Sequence, residues 1–395
     1  MLFGALPPDF SGAGIQGLRL LNALARHGVE TQALTAQRHP ASAPLRESVV
    51  GGQIRRLRVP ARGWAWFLGA ASAAWLLRHP RWDILHVHGL GPFAWLPLTL
   101  ARRLGRPALI KTTVSSDAAR FQPVGRLRER ALSAAYRGAD AVVALSRDLE
   151  DELGSIPGRR SQQVIAIPNG VDSDFFRPPT ERERVTERSR LGLPPDARVV
   201  ATLGRLNARK NTVALLQAAQ GHVGPPVHIV LAGPDGPDAS DRQMISAALA
   251  SLPATVQVTR FENLNAAEVA ALLRAADVFA LTSRAEGMPN ALLEAMASGV
   301  ACVATDVAGS RDLLARGGGA LVPLDDTTAL WRTIVGLLDS PSDRFRLGRA
   351  ARARVDSSFA LPAIARRYRA LYDSLLEPRP GSAGYTAGSL EDARQ

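Results

Sequence analysis

Cysteine and lysine are the two scarcities of this chain. One cysteine in 395 residues, Cys302, rules out any intrachain disulfide. Its place in the apolar run Val300-Ala-Cys-Val-Ala304 reads as a buried small hydrophobe in a protein of a reducing compartment. Lysine occurs only at Lys111 and Lys210, although Lys and Arg together number 48. Long apolar runs are missing too. The longest candidate, Trp64 to Leu77, covers about half to two-thirds of the ~20 residues a bilayer span needs. Met1-Leu-Phe-Gly-Ala5 is too short and lacks the basic flank of a secretory signal. Zinc-ligand spacing, an RNA-binding aromatic signature, a helix-turn-helix signal and a short internal repeat are likewise not found. The arginines are scattered through helices rather than gathered in one run, so nucleic-acid binding is disfavoured.

What is present is alternation. Strand-like runs and amphipathic helical stretches follow one another from end to end, which predicts α/β architecture with largely parallel sheets. The first half offers strands at Leu2–Ala5, Glu30–Leu34, Ile54–Val59, Ile84–Val87, Ala108–Thr113, Ala141–Ala144 and Val164–Ile167. The second offers Val199–Leu203, His228–Ala232, Val256–Thr259, Val278–Leu281, Val300–Ala304 and Ala320–Val322. Pro168-Asn169-Gly170 is a turn signal closing the first half. The expected organisation is a first domain over residues 1–177, a proline-flanked linker over 178–195 and a second domain over 196–357. A helix over 358–377 that returns to the first domain and a disordered tail over 378–395 complete it. The first strand is short, so the start of translation is expected upstream. Two such sheets enclose a cleft at the carboxyl ends of their strands, where open α/β sheets bind ligands.

Two segments carry chemistry. After strand Val278–Leu281, the stretch Ser283-Arg-Ala-Glu286-Gly-Met-Pro-Asn-Ala-Leu-Leu-Glu294-Ala-Met-Ala-Ser-Gly299 places two carboxylates eight residues apart across a helix start. Pro289 suits the first helical turn and Gly299 the position after the last. Eight helical residues rise about 12 Å, which suits a ligand with hydroxyls at its ends and phosphate between them. The blander alternatives are a surface charge at Glu294 and a helix-capping role for Glu286. The second segment, Val199-Val-Ala-Thr-Leu-Gly204-Arg205-Leu-Asn-Ala-Arg-Lys210-Asn211, runs from a buried strand through a glycine turn into a cationic loop. A lysine there, in a chain so poor in lysine, reads either as a phosphate partner beside a forked arginine or as a solvated charge.

In their order, these segments resemble a known family. Gly204-Arg205…Lys210-Asn211, Ala232-Gly233-Pro234, Ser283…Glu286-Gly-Met-Pro-Asn…Glu294…Gly299 and Thr305-Asp306-Val-Ala-Gly309 are similar to the nucleotide-binding half of retaining glycosyltransferases of family 4. Asp83-Ile-Leu-His86-Val-His88-Gly89, Ala139-Asp140-Ala-Val-Val-Ala-Leu-Ser146 and Ile167-Pro168-Asn169-Gly170-Val171-Asp172 extend the likeness to roughly residues 1–375. The resemblance implies two Rossmann-like domains facing across a cleft, the GT-B fold. It implies that Arg205 and Lys210 grip a donor diphosphate and that Glu294 accepts hydrogen bonds from ribose hydroxyls. Glu286 would lie beside the transferred sugar, with backbone N–H groups of Gly287, Met288 and Asn290 aimed at sugar and phosphate. Gly12 and Gly14 would let the first domain approach the same diphosphate.

The chain departs from the family's pattern where a histidine often follows the fifth strand. Here Lys111-Thr-Thr-Val-Ser115-Ser116-Asp117 stands, and Lys111, Ser115, Ser116 and Asp117 are alternative replacements. His88 is a second catalytic candidate, either at the site or in the core, and His86 reads as core. No Asp-x-Asp triplet follows a cleft strand, so neither metal nor cofactor is expected. The expected activity is sugar transfer from a UDP- or GDP-linked donor to a glycan or glycolipid in a cytoplasmic setting. The arginine-flanked tryptophan helix near Trp64 and a net charge of +12 add a peripheral contact with anionic membrane. A nucleotide-sugar 2-epimerase on the same fold and a non-catalytic polyanion or lipid binder are the competing classes.

Overall fold

Short apolar runs in which every residue is buried, such as Val278–Leu281 and Ala141–Ala144, belong to sheets covered on both faces. The computed structural model describes residues 1–8, 11–37, 43–89, 91–112, 136–154 and 163–377. Its first sheet contains β1 (Leu2–Phe3), β2 (Thr31–Gln37), β3 (Arg46–Val49), β4 (Gly52–Arg58), β5 (Leu85–His88), β6 (Ala108–Lys111), β7 (Ala141–Ala144) and β8 (Gln163–Ala166). Their order is β3-β4-β2-β1-β5-β6-β7-β8. All pairings are parallel except the β3–β4 hairpin. The second sheet contains β9 (Arg198–Leu203), β10 (Val227–Ala232), β11 (Val256–Phe261), β12 (Val278–Leu281), β13 (Ala301–Thr305) and β14 (Ala320–Val322). It is wholly parallel in the order β11-β10-β9-β12-β13-β14. In both sheets the chain starts in the middle, builds to one side and then crosses to the other. The switch points lie between β1 and β5 and between β9 and β12, where ligand crevices form.

Among the described residues of the first half, the helices are α1 (Gly12–Ala25), α2 (Trp64–Arg78), α3 (Pro92–Arg103) and α4 (Arg147–Gly154). Next come α5 (Glu181–Arg190), α6 (Thr212–Ala219), α7 (Ala239–Ala250), α8 (Ala266–Ala275), α9 (Asn290–Ala297) and α10 (Ala308–Leu314). The series ends with α11 (Thr327–Asp339), α12 (Pro341–Ser358) and α13 (Leu361–Leu376). One face of the first sheet packs Val87 and Ile110 against Leu68 of α2 and Phe93 and Leu98 of α3. The other packs Leu109 and Val143 against Leu20 and Leu24 of α1 and Ile364 and Tyr368 of α13. In the second sheet, Phe279 and Cys302 meet Leu272 of α8 and Leu292 of α9, while Val200 and Ala280 meet Leu215 of α6 and Ile334 of α11. Burial pushes the Cys302 thiol up, as suits an inert core residue.

The stretch expected as a linker is helical. Thr180 and Glu183 form a reciprocal capping box that starts α5, and Arg188 of that helix ion-pairs with Asp277 at 2.8 Å. The final helix returns to the first sheet, where Arg369 donates to the carbonyl of His27 at 2.7 Å. The tail beyond residue 377 lies outside the described residues.

α13 also closes a buried polar cluster. His86 and His88, two apart on β5, stack at 4.0 Å, and His86 Nδ1 shares a 2.7 Å hydrogen bond with Tyr372. His88 is 3% exposed and stacked on Phe3, which is the core placement of the two the sequence left open. Burial, followed by neighbouring positive charge, depresses both imidazoles. Lys111 is buried beside them, its ammonium 5.6 Å from the Tyr368 ring centroid, and burial lowers its pKa to about 7. It too is packed inside the first domain, while Ser115, Ser116 and Asp117 lie outside the described residues.

The sign of the Lys111 effect is testable. Between pH 7 and the ordinary lysine value the unfolded chain holds more protons at this position, so stability rises with pH across that window. Lys111→Met is expected to raise Tm at pH 7, with the gain shrinking toward pH 10, as followed by thermal unfolding at several pH values.

Candidate active site

The loops after β9 and β12, which flank the switch point of the second sheet, carry the charges, and the loop after β10 lies beside the first of them. The loop after β9 begins at Gly204 (φ +141°), and the loop after β10 begins at Gly233 (φ +138°). Any Cβ at 233 would lie 2.1 Å from the Gly204 carbonyl oxygen, and one at 204 would press on the Lys210 side chain at 3.2 Å. Glycine at both positions lets the loops sit side by side with the lysine stem laid across them. The first loop then turns through Asn207, whose side chain accepts from the Lys210 amide at 3.0 Å, and reaches the left-handed Asn211 (φ 51°).

This loop is stitched to the one after β12. Thr282 Oγ1 donates to the Asn211 carbonyl at 2.9 Å, and the Arg284 amide donates to the Arg209 carbonyl at 2.8 Å. The Arg209 guanidinium donates to the Ala285 carbonyl at 3.0 Å. Between the stitches, Lys210 Nζ lies 2.6 Å from Glu286 Oε1, and Arg209 Nη1 lies 3.3 Å from the same oxygen. Burial of Glu286, only 7% exposed at its side chain, works to raise its pKa. The charges of Lys210 and Arg209 outweigh that and hold the carboxylate below its ordinary range. The outcome is an ionised, doubly paired acid at the crevice, beside an ammonium.

Arg205 takes a different place. Its guanidinium lies 3.4 Å from the Asp235 carbonyl oxygen, beside the loop after β10. The nearest arginine to the Lys210–Glu286 pair is therefore Arg209, which the sequence reading assigned no role. Its signal was adjacency to Lys210, and only the loop's turn at Asn207 shows which way it points.

Beyond Glu286 the chain enters α9, with Pro289 as the residue before the helix rather than its first. The Gly287 backbone is supported from below. The Gly309 amide donates to the Glu286 carbonyl at 3.2 Å, and a Cβ on Gly309 would lie 2.6 Å from the Gly287 oxygen. Met288 is buried, and its sulfur accepts from the Asn169 amide at 3.1 Å.

Asn290 is a bridge between the halves. Its Nδ2 donates to the Gly12 carbonyl at 3.1 Å, and its Oδ1 accepts from Asn169 Nδ2 at 2.9 Å. Asn169, read from sequence only as part of a turn, is thus a second site residue that the sequence did not disclose. Glu294 meets a residue of the first domain as well: Arg19 Nη2 of α1 lies 2.7 Å from Glu294 Oε1.

The two first-domain glycines separate in role. Gly12 faces α9, its nearest obstacle being Asn290 Nδ2 at 3.4 Å from an added Cβ. Gly14 is a packing glycine: its amide is taken by the Ser11 hydroxyl, and a Cβ would lie 2.5 Å from the Ala5 carbonyl oxygen. It does not offer the backbone approach expected of it. The first turns of α1 and α9 therefore meet at Gly12 and Asn290, bringing two helix N-termini and their partial positive charge to one place.

The support under Gly287 can be tested without touching a charge. Gly309→Ala must displace the Glu286–Gly287 backbone, at a cost of about 1–3 kcal/mol. A lower urea midpoint with unchanged m-value is the expected result.

Comparison with known proteins agrees with this architecture. The family described as Glycosyl transferases group 1 matches residues 183–354, and the Glycosyl transferase 4-like domain matches residues 11–170. D-inositol 3-phosphate glycosyltransferase of Kineococcus radiotolerans is 27% identical over 95% of this chain and 93% of its own length. The protein of that name from Xylanimonas cellulosilytica is 29% identical over 87% of each chain. Among solved structures, sucrose-phosphate synthase from Thermosynechococcus elongatus superposes with a TM-score of 0.80 at 23% identity, covering 95% of this chain and 98% of that one. Anabaena HepE solved with UDP-glucose gives 0.74 at 18% identity, covering 94% and 99%. With the two family matches together covering most of the chain and two doubly wound, largely parallel sheets, the chain belongs to the group 1 glycosyltransferases and has the GT-B fold.

Proposed function

We propose that this glycosyltransferase moves a sugar from a UDP- or GDP-linked donor held by the second domain, with retention at the anomeric carbon. The observation that carries the reading is the Lys210–Glu286 pair at the second switch point, 2.6 Å apart and followed by the α9 mouth and Glu294. Lys210 and Arg209 supply positive charge where the departing diphosphate accumulates negative charge, with Arg205 earlier on the same loop, so the transition state gains more than the ground state. That cationic supply also makes a resident metal unnecessary to the scheme. Glu286 is already held by two cations and is a poor nucleophile. Its role is to accept hydroxyls of the transferred sugar and to fix the lysine. Attack by the acceptor on the face the diphosphate leaves then gives retention without a glycosyl-enzyme. Glu294 accepts the ribose hydroxyls, since an ionised carboxylate is acceptor-only. HepE, of like fold, is named in complex with UDP-glucose, which supports the donor class.

The acceptor belongs to the first domain, and a glycan or glycolipid beside an anionic membrane is the reading we favour. α2 presents Phe67 and Leu77 to solvent, and Arg55 lies over the Trp75 ring at 5.8 Å. Arg58, Arg62, Arg78 and Arg81 surround that helix in sequence. No helix among the described residues is long and apolar enough to cross a membrane, so the contact proposed is peripheral. A second reading, a phosphorylated polyol acceptor, is favoured by the names of the inositol-phosphate glycosyltransferase relatives.

Lys210→Ala and Glu294→Ala are each expected to weaken donor binding about tenfold or more, and Glu286→Gln to lower kcat by about a hundredfold with smaller change in KM. Calorimetry with UDP- and GDP-sugars and steady-state kinetics read these effects; donor affinity untouched by both alanine variants would sink the assignment. NMR of the products separates transfer from 2-epimerisation, because an epimerase converts its donor without acceptor. For the membrane contact, co-sedimentation with phosphatidylserine vesicles should exceed that with neutral phosphatidylcholine and fall with salt. Equal binding to both would remove the surface from the scheme.

A further inference from the structure

Arg19 is a basic residue of an amphipathic helix in the first domain, and nothing in the sequence sets it apart from its many arginine neighbours. In the structure it crosses the crevice. Its Nη2 lies 2.7 Å from Glu294 Oε1, with side chains only 17% and 11% exposed. The guanidinium carbon sits 5.2 Å from the Phe176 ring centroid, so the cation is held on its flat face as well. Its other terminal nitrogen, Nη1, is buried and has no hydrogen-bond partner among the described residues. An unsatisfied buried donor costs about 1–3 kcal/mol, so the pair holds with less than its full strength. The Arg19–Glu294 contact is therefore a serviceable pair that another partner of Glu294 can replace.

That other partner is specified by the donor reading, on which this inference rests. A vicinal diol offers two O–H donors to a carboxylate, and Arg19 already occupies Oε1 from the first-domain side of the crevice. We propose that Arg19 competes with the nucleotide ribose for Glu294, so that donor binding exchanges an interdomain ion pair for hydrogen bonds to the two ribose hydroxyls. The competition lowers donor affinity by the strength of the pair and ties occupancy of the second domain to the hold of α1 on α9. Asn290, through Gly12, keeps the helix mouths together while the pair nearer the middle of each helix opens. Arg19 is thus a positioning residue for the first domain and a brake on nucleotide binding.

The test uses the full chain, calorimetry, and UDP, GDP and ADP with their 2′,3′-dideoxy counterparts. Arg19→Met keeps a stem over Phe176 and removes the charge; Arg19→Lys restores the charge and controls for packing. Arg19→Met is expected to tighten the ribonucleotide about tenfold, within the range usual for coupled sites. It should leave the dideoxynucleotide unchanged, and Arg19→Lys should return the affinity toward that of the parent. Glu294→Gln should weaken the ribonucleotide and abolish the gain from Arg19→Met.

The two levels fail separately. Equal affinity for ribo- and dideoxynucleotides, unaffected by Glu294→Gln, would show that Glu294 does not hold the diol and would overturn the donor reading. Ribose discrimination that depends on Glu294, with Arg19→Met binding no tighter or more weakly, would leave that reading standing and overturn the competition. An Arg19→Met variant with a lowered Tm and a weakened affinity for both nucleotide forms, rescued by Arg19→Lys, would likewise overturn it in favour of a purely structural pair.

Discussion

A carboxylate and an ammonium brought together out of water set the terms for the second domain. Burying Glu286 alone would cost several kcal/mol or force it to take up a proton. Lys210 and Arg209 remove that cost only if their loop is held to within a fraction of an ångström. The surrounding features read as means to that end. Two abutting glycines let the β9 and β10 loops touch. Thr282 and Arg284 sew the β9 loop to the β12 loop, and Gly309 bears the Glu286–Gly287 backbone from below. The parallel sheet contributes the switch point that makes the two loops neighbours in the first place.

The first domain relates to that centre through α1. Its N-terminal turn meets α9 at Gly12 and Asn290, and Arg19 meets Glu294 farther along. Behind α1, the same face of the first sheet rests on α13, which carries Tyr368 and Tyr372 over the buried His86, His88 and Lys111. A polar cluster in that position is expensive, since burial depresses all three basic groups. It lies beneath the helix that faces the second domain, and it is sealed by the last helix of the described chain. The crevice between the domains and the return of α13 are therefore joined through one layer of the fold.

Much of the fold was legible because the parallel strands are nearly all apolar and the punctuation between them is strong. The missed strand, β3, is short, half exposed and at the sheet edge, so its alternation carried little hydrophobic signal. The turn that makes it a hairpin is Val50-Gly51, in which Gly51 adopts the left-handed conformation. The stretch expected as a linker carried a capping box, Thr180-x-x-Glu183, which its flanking prolines and high charge obscured. At the candidate site, spacing singled out Lys210 and Glu286, which lie on loops next to their strands and which the fold brings together. It left His88 open between site and core, because a histidine ending a strand looks the same in sequence whether the strand end faces a crevice or an aromatic stack. Gly14 misled for a related reason: glycine leaves room, but sequence does not say whether a ligand or the chain's own carbonyl fills it.

By itself, then, the sequence determined the class of the fold, the order of its elements and the family, since these follow from local periodicity and from motifs whose members are close in the chain. Tertiary structure decided the partners. Arg209 rather than Arg205 beside Glu286, Asn169 on Asn290 and Arg19 on Glu294 are pairings across loops or across the two domains. Such contacts depend on the twist and stacking of whole sheets, and a charge's nearest neighbour in space leaves no mark on its neighbours in the chain.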